Sequence, residues 1–190
     1  MIPTLFNGFY LATNNRIGPY HIAGGSVTQE QKDNANAIKT FFVDQEGWTI
    51  NSVCAILGNM MGESTLNPAF IQATNRYRLP NSAADLSDVP NSVMANFYRE
   101  YYNDSRRAYG IGLVQWDGYT STTPAGQKLV SFAERYNLNW YDGDTQMYRV
   151  LREKETNIQW QAQNLGGTFW TWDVFTASIA EPEELAYVWR

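Results

Sequence analysis

The sequence predicts a mainly α fold: a helical domain with a small β-hairpin. Two observations carry this. Apolar residues recur at helical spacing in several segments, and each segment opens on a capping residue or a proline. One short segment, 109–117 (YGIGLVQWD), instead alternates and holds two glycines. That pattern suits a strand or a tight hairpin leading into a loop.

The elements follow in order. Residues 1–27 read as an N-terminal arm, mixed apolar and rich in Gly and Pro, with no helical period. The domain is expected over 28–190. Thr28 with Gln31 is a capping-box pattern, and Ala35, Ile38, Phe41 and Phe42 continue it on one face until Gly47. Thr49 caps a second helix. Its residues Ile50, Val53, Cys54, Ile56, Leu57, Met60 and Met61 present a broad apolar surface, so it should be central and largely buried. It should end near Gly62, because Asn67-Pro68 follows and the residue before a proline avoids helix.

Residues 69–108 are weakly patterned, with a short helix over 92–101. A stretch of this kind reads as a functional loop or flap, with disorder as the competing reading. The aromatics Phe97, Tyr98, Tyr101 and Tyr102 argue for packing. Thr123-Pro124 opens a helix carrying Leu129, Phe132, Ala133 and Tyr136. Another is expected over 144–160 on Met147, Val150 and Leu151. Gly166-Gly167 breaks the chain, 169–175 (FWTWDVF) is aromatic and loop-like, and a last helix over 178–189 has Pro182 near its start. The helical pattern is still running at Arg190, so the sequence is expected to be one module of a larger protein.

Composition narrows the function. The 190 residues allow one sizeable core. Aromatic residues make up 15% against only 17% charged, which suits either an aromatic core or a cleft lined with Trp and Tyr. Net charge is −5 and there is no basic run, which argues against nucleic acid as the main ligand. The single cysteine, Cys54, sits in an apolar stretch and reads as a buried small hydrophobe rather than a reactive thiol. The single histidine, His21, has no companion for a zinc site. No metal and no organic cofactor is expected. No secretory signal and no membrane span is visible.

The chemistry concentrates in 48–68, WTINSVCAILGNMMGESTLNP. It delivers one carboxylate, Glu63, at the C-terminal end of an apolar helix. Burial beside Met60 and Met61 would favour the neutral carboxyl, and so would the negative end of the helix dipole. A protonated carboxyl is what a glycosidase uses to protonate its leaving oxygen. The same pattern also suits a Glu hydrogen-bonded to Ser64 or to backbone.

GNMMGESTLNP followed by GIGLVQWD resembles the phage tail lysozyme family, in which a helix ending G-N-M-x-x-E-S is paired with a G-x-G-L-x-Q-W segment. Goose-type lysozymes and lytic transglycosylases are more distantly similar. The resemblance implies an α+β lysozyme-like fold with its hairpin beside a cleft. It implies Glu63 as catalytic acid, Ser64 as a substrate-binding residue that also orients it, and Tyr109, Gln115 and Trp116 as further substrate-binding positions. Gly110 and Gly112 would allow close backbone approach. Trp116 suits plain core nearly as well as sugar stacking.

The second catalytic group stays open. Asp117 is the first choice and Asp104 the second, since the loop ahead of the second motif is long and also holds Asp85 and Asp88. An inverting enzyme places its base about 6.5–9.5 Å from the acid, and a retaining one its nucleophile at about 5–5.5 Å. Alternatively, the substrate's own acetamido or 6-hydroxyl group assists, as in transglycosylases.

The resemblance implies cleavage of the MurNAc-β-1,4-GlcNAc bond of peptidoglycan from a virion tail tip, opening the wall for DNA entry. Its partners would be the glycan strand, other tail proteins and a C-terminal peptidase domain; neither nucleic acid nor membrane is implied. An inert glycan-binding or structural tail module is one alternative, and an endolysin or autolysin another.

Overall fold

The computed structural model describes residues 27–71, 89–101, 110–116, 125–156 and 160–189. Among them the chain is mainly helical, with one two-stranded antiparallel sheet, as the sequence predicts. The expected arm, up to residue 26, lies outside the described residues, and so do Tyr109, Asp104 and Asp117. The chain divides into two compact units. One is built from the segments before Met60 and after Trp160, the other from Met60–Trp160.

In the first unit, α1 (Gln29–Lys39) starts as expected. The Gln31 N–H donates to Thr28 Oγ1 at 3.1 Å, and the Gln31 side chain accepts from the Thr28 N–H at 2.9 Å. The helix then widens into a π-helical turn over Thr40–Gln45. Within this turn the consecutive side chains Phe41 and Phe42 are both buried. Gly47, at φ +73°, ends the run. α2 (Ile50–Ser64), whose residues up to Asn59 belong to this unit, follows, capped by Thr49, whose Oγ1 accepts from the Ser52 N–H at 3.3 Å.

After Trp160 the chain forms β1 (Gln163–Leu165) and β2 (Thr168–Trp170), then α7 (Trp172–Thr176) and α8 (Pro182–Val188). The sheet therefore lies where the sequence suggested a break and an aromatic loop, and α7 replaces part of that loop. Trp48 packs at a tilt on Phe42 and edge-on against Trp172 and Phe175, and Phe175 meets Trp189 at a tilt. The polar residues of α2 fasten this closing segment. Ser52 Oγ donates to Phe175 O at 2.6 Å, Asn51 Nδ2 to Ile179 O at 3.0 Å, and Asn59 Nδ2 to Ala186 O at 3.2 Å.

Cys54 is half-buried here. Burial, and then the negative charge of Glu183, push its thiol above the ordinary cysteine value. The thiolate is the reactive form, so Cys54 should react with Ellman's reagent at pH 8 more slowly in the folded protein than in urea. Equal rates would show that the thiol is not shielded.

The second unit contains α3 (Asn91–Tyr101), α4 (Ala125–Arg135), α5 (Gly143–Leu151) and the short α6 (Glu153–Thr156). The single long helix expected over 144–160 is divided at Arg152. The Arg152 N–H is shared between the Tyr148 and Arg149 carbonyls, at 3.3 and 3.2 Å, which tightens the turn. Helices α3 and α4 pack together, and α4 meets α5. Trp140 is fully buried and donates from Nε1 to Val89 O at 2.9 Å.

Candidate active site

The site grows from the end of α2. The helix passes Gly62 and runs to Ser64, two residues beyond the expected stop. It is then reversed by Thr65 and Leu66, both in the left-handed region at φ 56° and 61°. The Thr65 N–H donates to Met61 O at 3.0 Å, and the Leu66 N–H reaches back to Met60 O at 3.4 Å. Glycine usually supplies this reversal. Here a fully buried Leu66 and a β-branched threonine hold it, at a backbone cost of roughly 1–3 kcal/mol each. Thr65→Gly should relieve more strain than it adds in unfolded-chain entropy, and so stabilise by about 0.5–1 kcal/mol. A urea melt checks this; a loss of stability would show that the threonine is not strained.

Helix phase decides what the last turn presents. Met60 and Ser64, four residues apart, both face inward and are fully buried. Glu63 falls off that face and is exposed. The burial expected for it beside Met60 and Met61 is therefore corrected: Met60 is buried, Met61 only partly, and the carboxylate faces outward.

Ser64 is committed to the protein. Its hydroxyl lies 2.9 Å from Met60 O and 3.0 Å from Leu113 O, and its one proton is shared between them. The second bond ties the helix end to the segment carrying the other motif. That segment, 110–116, is a tight turn closed by the bridge Ile111↔Trp116, with the Trp116 N–H donating to Ile111 O at 2.9 Å. Ile111 also bridges Ile71, and the Gly112 N–H donates to Phe70 O at 2.9 Å. The hairpin-like reading of this segment thus takes the form of a tight turn with isolated bridges.

Gln115 sits inside this turn, at φ 49° and 9% exposed. Its Nε2 donates to Gly112 O at 2.9 Å. A Cβ on Gly110 would come within 2.8 Å of the Gln115 Oε1, which explains the glycine there. Trp116 is fully buried, and its Nε1 donates to Glu153 Oε1 at 3.4 Å. Of the two roles open to this tryptophan, its burial matches core packing. A buried indole offers no face to a sugar.

Two groups beneath the turn were missed. The first is Gln146, fully buried on α5. Its Oε1 accepts from the Leu113 N–H at 2.7 Å, and its Nε2 donates to Pro68 O at 2.7 Å and Trp140 O at 2.8 Å. Gly112 is at φ +75°, and a Cβ there would lie 2.5 Å from Gln146 Oε1. The second is the ion pair Arg149–Glu153, 2.9 Å long and buried on both sides. Burial lowers the Arg149 guanidinium below its usual value, and Glu153 opposes that shift. Glu153 also accepts from the Trp160 N–H at 3.3 Å. The signals for both were present: a glutamine beside Met147 on an apolar face, and Arg and Glu four residues apart.

The arrangement is an exposed carboxyl group on the last turn of a helix, with the residue after it locked to a rigid turn. Such a group can deliver a proton to a ligand laid over it. Among the described residues, no cluster of His, Cys, Asp and Glu is suited to a metal ion.

Residues 33–190 match the family described as phage tail lysozyme. The chain is also similar to morphogenesis protein 1 of Bacillus phage B103, 30% identical over 161 residues. That alignment covers 84% of this chain and 33% of the relative, so the chain spans about a third of the length of the curated relative it matches.

Proposed function

Because the chain belongs to the phage tail lysozyme family, we propose that it cuts the glycan strand of bacterial peptidoglycan, with Glu63 as general acid. The observation that carries this reading is the exposed Glu63 on the final turn of α2, next to a Ser64 fastened to Leu113. A proton donor must reach the substrate from a defined place. Exposure supplies the reach, and the Ser64–Leu113 tie holds the backbone from which the Glu63 side chain projects.

In the proposed reaction the Glu63 carboxyl protonates the oxygen joining N-acetylmuramic acid to N-acetylglucosamine. The C1–O bond breaks, its electron pair goes to that oxygen, and the sugar passes through an oxocarbenium-like state. Asp117, or Asp104 in second place, then activates water or attacks C1. If instead the substrate's own 6-hydroxyl closes on C1, directly or after the acetamido oxygen has held C1 as an oxazolinium ion, and gives its proton to the Glu63 carboxylate, the product is an anhydro-sugar. Gln115 and Tyr109 remain proposed glycan contacts. The domain is proposed to span 28–190 and to act from the virion tail tip, with other tail proteins as neighbours and a peptidase domain as a further partner.

Mass spectrometry of the muropeptides released from purified sacculi tests this reading. Reducing N-acetylmuramic acid ends are expected for hydrolysis, and anhydro ends for transglycosylation. Binding without release would make the domain an inert recognition module and remove the catalytic reading.

A further inference from the structure

Residues 156–172 contain no Asp, Glu, Lys or Arg, in a chain whose residues are 17% charged. The β1–β2 hairpin lies inside this run. Its turn, Gly166-Gly167, has φ of 60° and 81°, the left-handed pair that makes a tight two-residue hairpin. The register sets Asn164 opposite Phe169 and Leu165 opposite Thr168. Directly opposed residues share a face, so an amide and an aromatic ring stand side by side. Both are exposed, Phe169 at 56%, while Leu165 belongs to the opposite face. Trp170 is held across the turn, its Nε1 donating to Leu165 O at 3.2 Å.

An exposed phenylalanine on a three-residue strand contributes little to the core. We propose that this hairpin face is a second contact for the neutral glycan strand, separate from Glu63. The inference rests on the glycan-cutting reading above. Three features select the occupant. The absence of charge disfavours polyanions and charged peptides, which need complementary groups. The Phe169 ring suits the C–H face of a pyranose, and the Asn164 amide both donates to and accepts from hydroxyl or acetamido groups. Size argues against a protein partner: a stable protein interface uses about 800 Å² on each side, more than a six-residue hairpin offers. One ring and one amide match the scale of one or two sugars. Repeated weak contacts along a polymer raise retention without a tight single site.

The test uses the full chain carrying Glu63→Gln, so that binding is read apart from turnover. Co-sedimentation with purified sacculi is measured for this parent and for Phe169→Ser, Asn164→Asp and Phe169→Tyr on the same background. Circular dichroism and thermal melts check that each variant folds. Phe169→Ser and Asn164→Asp should each weaken retention about five- to tenfold, while Phe169→Tyr, which keeps the ring, should bind like the parent. Asn164→Asp keeps the proposal falsifiable if Phe169→Ser does not fold. Parent-like retention by the folded Ser or Asp variants, or a parent that does not bind sacculi, overturns the proposal. So does a parent dimer in sedimentation velocity that Phe169→Ser dissociates, because the face would then join copies of the chain. Soluble muropeptides released by the parent would overturn the role of Glu63 instead, and leave the hairpin result standing.

Discussion

Glu63→Gln should abolish the clearing of purified peptidoglycan while leaving the fold intact. Glutamine keeps the shape of the side chain but has no acidic proton to give the leaving oxygen. General acid catalysis contributes roughly 10²–10⁴-fold to a rate, so the loss should reach at least about a hundredfold. Because Glu63 is exposed, the stability change should stay within about 0.5 kcal/mol. The two measurements belong together: turbidity loss of sacculi for activity, and a thermal melt for folding. Activity retained within a few-fold would remove Glu63 from the chemistry. Activity lost together with the melt would make Glu63 a structural residue.

Gln146→Leu should have the largest effect on stability. Leucine fits the volume of glutamine but leaves the Leu113 N–H and the Pro68 and Trp140 carbonyls without the partner they now share. Each buried polar group left unmet costs roughly 1–3 kcal/mol, so a total of at least about 3 kcal/mol is expected. A urea denaturation curve reads this as a lower midpoint at similar slope. The turn at 110–116 should loosen as well, because Leu113 is held at its N–H by Gln146 and at its carbonyl by Ser64. A loss below about 1 kcal/mol would mean that water replaces the amide at little cost.

What the sequence revealed depends on how local each signal is. The capping box at Thr28 and the cap at Thr49 are set by a few neighbouring residues, and each was legible, whereas the last helix opens at Pro182, four residues after the expected 178. The apolar run of α2 was legible because burial of Val53, Ile56 and Met60 repeats at the helical period. The hairpin was misplaced for a physical reason. Its strands are three residues long and mostly exposed, so they carry no burial alternation. The adjacent glycines of its turn were the one usable signal, and they read equally as a break.

In the site, the carboxylate was found from its motif, but its exposure was not. Exposure depends on where the helix face falls within a single turn, and Met60 and Ser64 take the inward positions. The π-helical turn at Thr40–Gln45 was hidden because Phe41 and Phe42 in sequence fit an ordinary helix. Gln146 showed in sequence only as a polar residue on an apolar face; its partners at Leu113, Pro68 and Trp140 were not legible, because two of them come from distant parts of the chain. Tyr109, Asp104 and Asp117 fall outside the described residues, so the second catalytic group keeps the standing the sequence gives it.

The double hold on Leu113 also fixes a clock. Its amide proton can exchange with solvent deuterium only when the bond to Gln146 opens, and a buried bond within a packed unit opens through rare cooperative excursions. A solvent-facing side chain such as Glu63 resamples its rotamers in picoseconds to nanoseconds. On that timescale the turn at 110–116 behaves as a stationary wall, and the Glu63 side chain beside Ser64 is the part that moves.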